Sequence, residues 1–213
     1  MWAWGDNSRG QLGSGTLVAS RRPLQVDGLT GVVSVSTGWD SNLALRADGT
    51  VWAWGSNTFG QLGDGSTLDR TAPVPVTGLA DVVAVATGGF HSLALQRDGS
   101  LWVWGQNSSG QLGNASFTGR TTPFQLTGNG GLLFGFGGLS AIAAGESHTL
   151  AIRTDGSVWA WGSNVSGQVG DGTFSVRHSP TRVQGLDGLA TVTAGGRHNL
   201  AVKPDGTVWS WGH

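Results

Sequence analysis

Three histidines at corresponding places, His91, His148 and His198, are the residues whose type and recurrence most invite metal or acid–base chemistry. Each ends a Gly-x-x-His step that starts at Gly88, Gly145 or Gly195, and Ser41 stands at the equivalent place after Gly38. A metal needs its ligands converged on one point. One His per copy spreads them along a repeat, and no carboxylate is spaced beside them to complete a site. The expected role is structural, with each ring hydrogen-bonding loop backbone, and no metal. His178 and His213 stand alone and are expected to be exposed.

Asp48, Asp98, Asp155 and Asp205 also recur, as the paired carboxylates of a hydrolase would. Each directly precedes a Gly, however, where Asp serves a tight turn by bonding its own backbone. The Gly-x-x-Gly-Gln-Leu-Gly stretches look faintly like phosphate cradles, yet they lack the following helix and Lys that a nucleotide loop requires. No Ser-His-Asp set stands out. No catalytic residue, cofactor or enzymatic activity is expected.

The elements that carry these residues follow from a repeat. Trp-x-Trp-Gly occurs at Trp2/Trp4, Trp52/Trp54, Trp102/Trp104, Trp159/Trp161 and Trp209/Trp211, a fifty-residue period with one unit seven residues longer. Only Trp39 of the 11 Trp falls outside it. Asn-x-x-Gly-Gln-(Leu/Val)-Gly follows the first four pairs, at 7–13, 57–63, 107–113 and 164–170. The units run approximately 1–51, 52–101, 102–158 and 159–208, with the start of a fifth at 209–213, all in one repeat domain.

Within a unit, Val32–Ser36 is Val-rich and extended (A), Asn42–Arg46 is a second strand (B), and Thr50–Trp54 returns after an Asp-Gly hairpin (C). Pro73–Val76 gives a fourth piece (D), whose prolines suit an edge strand. Alternate residues of a strand share a face, so Trp52 and Trp54 project together, as do Trp102 with Trp104 and Trp159 with Trp161. The residues between them are small: Ala3, Ala53, Val103, Ala160 and Ser210. A sheet with one bulky and one flat face packs on copies of itself, which predicts an all-β propeller of four-stranded antiparallel blades with about four repeats.

Composition excludes other classes. The chain has 213 residues, 38 of them Gly, with 12 basic and 13 acidic residues and a net charge of -1, so bulk charge draws it neither to nucleic acid nor to an anionic membrane. Zero Cys removes disulfides and thiolate chemistry. No apolar run nears the roughly 18 residues of a membrane span. The opening Met-Trp-Ala-Trp-Gly lacks the basic and apolar regions of a signal peptide.

The combined pattern of Gly-x-x-His-(Ser/Thr/Asn)-Leu-Ala at Gly88, Gly145 and Gly195, then Asp-Gly-x-(Val/Leu)-Trp-x-Trp-Gly and the Asn-x-x-Gly-Gln-Leu-Gly loop, resembles the repeats of the regulator of chromosome condensation family. The resemblance covers nearly the whole chain. It implies a β-propeller, of seven blades in family members that include a nucleotide exchange factor, a plant ultraviolet-B photoreceptor, a β-lactamase inhibitor and uncharacterised bacterial proteins. Seven such blades would need about 350 residues. The chain therefore reads as part of a longer propeller, the alternatives being an open arc, a small closed ring or a ring of two chains. Unclosed end blades would expose apolar faces and edges and so favour self-association.

Strand parity puts the A–B and C–D loops on one rim. Residues there differ among copies where the framework does not: Trp39-Asp40, Gly89-Phe90, Glu146-Ser147 and Gly196-Arg197 in A–B loops, and Arg9 and Phe59 among the C–D positions. Trp39, Asp40, Phe90, Glu146, Arg197, Arg9 and Phe59 are the expected partner-binding residues, rich in types that dominate binding energy. Trp39 resembles the Gly-Trp loop of the photoreceptor, but Gly89, Glu146 and Gly196 stand where its further Trp would be. The extra residues of the third unit lie in Gly128–Gly138, a stretch that the exchange-factor resemblance makes a candidate partner-binding finger. The leading expectation is a non-catalytic protein-binding scaffold. Its rivals are exchange activity on a small GTPase and a purely structural module of a larger surface or secreted protein. Sparse Lys and a Ser/Thr/Asn/Gly-rich surface tilt the reading towards a bacterial, exported protein.

Overall fold

The computed structural model describes residues 1–127 and 138–213. Seventeen strands run β1 (Trp2–Gly5), β2 (Ser20–Gln25), β3 (Val32–Thr37), β4 (Ser41–Arg46), β5 (Val51–Gly55), β6 (Arg70–Pro75), β7 (Val82–Thr87), β8 (His91–Gln96), β9 (Leu101–Gly105), β10 (Arg120–Gln125), β11 (Leu139–Ala144), β12 (His148–Arg153), β13 (Ser157–Gly162), β14 (Arg177–Asp187), β15 (Thr191–Ala194), β16 (His198–Val202) and β17 (Val208–Gly212). They form antiparallel sheets β3–β6, β7–β10 and β11–β14 of four strands each, flanked by the pair β1–β2 and the triplet β15–β17. We call these blades I to V in chain order. The first strands of blades II to V pack on one another in turn, β3 on β7, β7 on β11 and β11 on β15. The sheets thus radiate from a common line as propeller blades, with no helix among the described residues.

Each fourth strand is the outer edge of its sheet. This accommodates Pro73 and Pro75 in β6, Pro123 in β10 and Pro180 in β14 at positions where a missing N–H is tolerated. The B–C connection differs from a two-residue hairpin. Gly49 N–H donates to Arg46 O at 2.9 Å, and Arg46 N–H donates to Thr50 O at 2.9 Å. Only Gly49 has positive φ, at 78°. The geometry is a type I turn closed by a left-handed Gly, a three-residue hairpin loop. Asp48 fixes it by accepting from Thr50 N–H and Oγ1–H at 3.1 and 2.6 Å.

The Trp pair behaves asymmetrically. Trp54, Trp104 and Trp161 are buried to 1% exposure or less, whereas Trp52, Trp102 and Trp159 are half-buried. Each buried indole lies in a cluster with the small middle residue of the blade before it: Ala3 with Trp54, Ala53 with Trp104, and Val103 with Trp161. Full burial of one indole stabilises by at most about 4–6 kcal/mol at roughly 25 cal/mol per Å². At the end blades, Trp2 and Trp4 are 61% and 63% exposed and Trp209 is 46% exposed.

Candidate protein-binding rim

Every C–D loop is built by its Asn and Gln. Asn57 Oδ1 accepts from Leu62 N–H at 3.0 Å, while its Nδ2 donates to Ser66 O at 3.1 Å. Asn7, Asn107 and Asn164 repeat this pattern. Gln61 Oε1 accepts from Phe59 N–H, and Gln61 O accepts from Trp104 Nε1–H at 2.8 Å and from Ser92 Oγ–H at 2.8 Å in the next blade. The same indole bond joins Trp54 to Gln11 O, Trp161 to Gln111 O and Trp211 to Gln168 O. The repeated loop motif is therefore a bracket between blades.

The A–B loops form the inner arc of the same rim. Trp39 N–H donates to Gly89 O at 3.5 Å, Gly89 N–H to Glu146 O at 3.0 Å, and Glu146 N–H to Gly196 O at 3.2 Å. Ser56 N–H donates to Asp40 O and Gln106 N–H to Phe90 O, which ties A–B and C–D loops to one another within each blade. The loop tips are consequently held by a rigid frame.

The His91 and His148 side chains do not bond loop backbone as expected; they bridge blades through side chains. His91 Nε2 meets Thr149 Oγ1 at 2.9 Å, and Thr149 Oγ1 itself donates to Gln111 O. His148 Nε2 meets Asn199 Oδ1 at 2.7 Å, with Asn199 Nδ2 donating to Gln168 O. Since Asn199 Oδ1 can only accept and the Thr149 hydroxyl spends its proton on Gln111 O, the ring proton is assigned to Nε2 in each His. Both Nδ1 atoms are buried without a partner. A Cβ at Gly88 or Gly145 would run into the ring of His91 or His148, which explains the Gly-x-x-His spacing. His198 is exposed.

Of the seven residues expected to bind a partner, three converge. Trp39 meets Phe90 edge-on at 5.0 Å between ring centroids, and Phe59 meets Phe90 at 5.0 Å with the planes tilted by 51°. The three rings come from two A–B loops and one C–D loop in blades II and III. Trp39 is 60% and Phe59 39% exposed. Asp40 lines a groove with Trp39, Trp4, Asp6 and Gln11 on the blade I side. Gln11 Nε2–H donates to Asp6 Oδ2 at 2.8 Å and to Asp40 Oδ1 at 3.3 Å. The Ser8 hydroxyl foremost, helped by the Asn7 and Ser8 amides and the Gln11 side chain, holds the Asp6 carboxyl below its usual range against the opposing desolvation. The other residues stand apart. Arg9 reaches Asp69 at 3.2 Å, and Arg197 approaches Glu146 at 3.9 Å.

The comparison of copies missed a second set of apolar rim residues. Leu17, Val18, Leu68, Phe117 and Phe174 lie in the C–D loops, each more than half exposed. They fall at two adjacent positions, 17/67/117/174 and 18/68/118/175, beyond the Asn-x-x-Gly pair within which the C–D loops were compared. Their signal was a large hydrophobe one or two residues after Thr16, Ser66, Ser116 and Thr173, which cap the loop. The candidate finger falls at 128–138, of which 128–137 lie outside the described residues.

Known proteins share this architecture. The human E3 ubiquitin-protein ligase HERC2 is 51% identical over 45 residues, which is 21% of this chain and 1% of HERC2. A crystal structure of Kap60 bound to yeast RCC1 (Prp20) matches with a TM-score of 0.82 at 27% identity, covering 99% of this chain and 51% of that one. Human WBSCR16 matches with a TM-score of 0.85 at 27% identity, covering 99% and 56%. The chain thus spans about half the length of the solved propellers it resembles and a small part of HERC2. The RCC1-like domain description matches residues 1–213. With the blade packing and the loop brackets agreeing along that whole length, the chain belongs to the family of RCC1-like domains.

Proposed function

We propose that this chain is a non-catalytic protein-binding propeller whose partner seats on the A–B/C–D rim, centred on Trp39, Phe59 and Phe90. The observation that carries this reading is the aromatic shelf itself. Three rings from three loops of two blades touch one another while keeping exposed surface. Large rigid side chains on a fixed frame bind with little loss of entropy, and aromatic residues dominate the energetics of protein interfaces. A relative crystallised with Kap60 supports a protein-binding role for this kind of propeller. The Trp39→Ala and Phe90→Ala variants test the reading by affinity capture from lysate of the source cells. The expected outcome is loss of the captured protein with an unchanged thermal melt. Capture that survives both substitutions overturns it.

A further inference from the structure

The charges on the rim are unevenly satisfied. Asp64 pairs with Arg70, Asp69 with Arg9, Asp171 with Arg177 and Glu146 with Arg197. Among the described residues, Asp6 and Asp40 are the rim carboxylates with no cation within ion-pair distance. Both stand beside the aromatic shelf and line one groove with Trp39. They are drawn towards each other by the single Gln11 amide, which donates to both at 2.8 and 3.3 Å. Two anions held close together beside an exposed indole lack a positive charge. The face of an indole itself attracts a cation within about 6 Å of its centroid.

We infer that the rim takes an extended peptide bearing a basic side chain, Arg or Lys, with the cation over Trp39 against Asp40 and Asp6. A neighbouring apolar side chain of the same peptide rests on Phe59 and Phe90. This rests on the protein-binding reading above and adds the chemistry of the partner. The charge complementarity selects against acidic segments, because two uncompensated carboxylates repel them. The Glu146–Arg197 pair lies on the other side of Phe90 and has its charges matched already.

The test pans a phage-displayed library of linear dodecamer peptides on the 213-residue chain. Peptides are then compared in fluorescence anisotropy with the Arg replaced by citrulline. Arg or Lys next to an apolar residue is expected in the enriched sequences. Citrulline replacement is expected to weaken binding roughly ten- to a hundred-fold, the usual worth of a hydrogen bond to a charged group. Asp40→Asn and Asp6→Asn should weaken the Arg peptide to a similar degree and leave the citrulline peptide unchanged, with thermal melts verifying the fold. Enriched peptides that lack cations but are lost in Trp39→Ala overturn the cation site and leave the rim intact. No enrichment, or binding indifferent to both Trp39→Ala and Phe90→Ala, overturns both.

Discussion

His91 donates its Nε2 proton to Thr149 and leaves Nδ1 bare against Gly88, so a second proton has no acceptor to meet it. Burial, followed by the nearby His148, pushes its pKa down to about 3 from 6.5. Burial also lowers His148, partly opposed by its bond to Asn199. A lowered pKa in a base means that the unfolded chain binds the proton first. Stability is therefore complete above about pH 6.5 and falls as the pH drops towards 3, by about 1.4 kcal/mol per unit through His91, with His148 adding a loss in the same direction. Urea midpoints between pH 6.5 and 5, where carboxylates contribute little, should show this slope. His91→Ser, which places at this position the residue blade II already carries as Ser41, should reduce the slope by one proton even if absolute stability falls. An unchanged slope would show that the ring is accessible to protons in the folded state.

At the scale of elements, the unit of cohesion is a C–D loop clasping the C strand of the next blade. Gln61 O accepts from both Trp104 and Ser92, out of reach of water. Trp102 Nε1–H donates instead to Gln96 Oε1 at 2.8 Å on a half-exposed surface. Trp104→Phe should thus cost about 2–3 kcal/mol, since a buried carbonyl loses a donor and the packing a ring. Trp102→Phe should cost about 1 kcal/mol or less, because solvent replaces its bond. Urea denaturation of the two variants measures the difference, and equal costs would refute the clasp. Much of this was legible in the sequence. Spacing two apart put Trp52 and Trp54 on one face, and the Asp-Gly and Pro positions located the turn and the edge strand. Period alone carries no depth, however, so the unequal burial of the pair was not readable. The His partners were also out of reach, because Thr149 and Asn199 belong to a different copy from the ring they receive. Convergence of Trp39, Phe59 and Phe90 depends on blade spacing in the same way. Their types marked them as candidates, while only the fold separates them from Arg9, Glu146 and Arg197.

For the whole molecule, the two ends are opposite in kind. Trp4 of blade I is 63% exposed, whereas Trp54, Trp104 and Trp161 each have a preceding loop carbonyl and a small residue to lie against. Blade V presents the flat side, with Leu200 opposite Ser210 and Val202 opposite Val208, and Leu200 and Val208 are exposed at 41% and 65%. The corresponding face of blade II, Leu43, Leu45, Val51 and Ala53, is buried under Trp104. Bulky face and flat face from two copies can therefore repeat the interior packing head to tail, and such a contact need not close. The 213-residue chain should self-associate with rising concentration, and more strongly in sulfate, which favours apolar burial. Trp4→Ser or Leu200→Asp should each weaken association about ten-fold or more, and mixing the two variants should leave dimers joined through their remaining intact faces. Sedimentation velocity reads all of these species. Monomer alone across the concentration range would mean that stacking requires the clasping loop as well as the apolar faces, since Trp4 in such a contact would lack the carbonyl that each interior Trp receives.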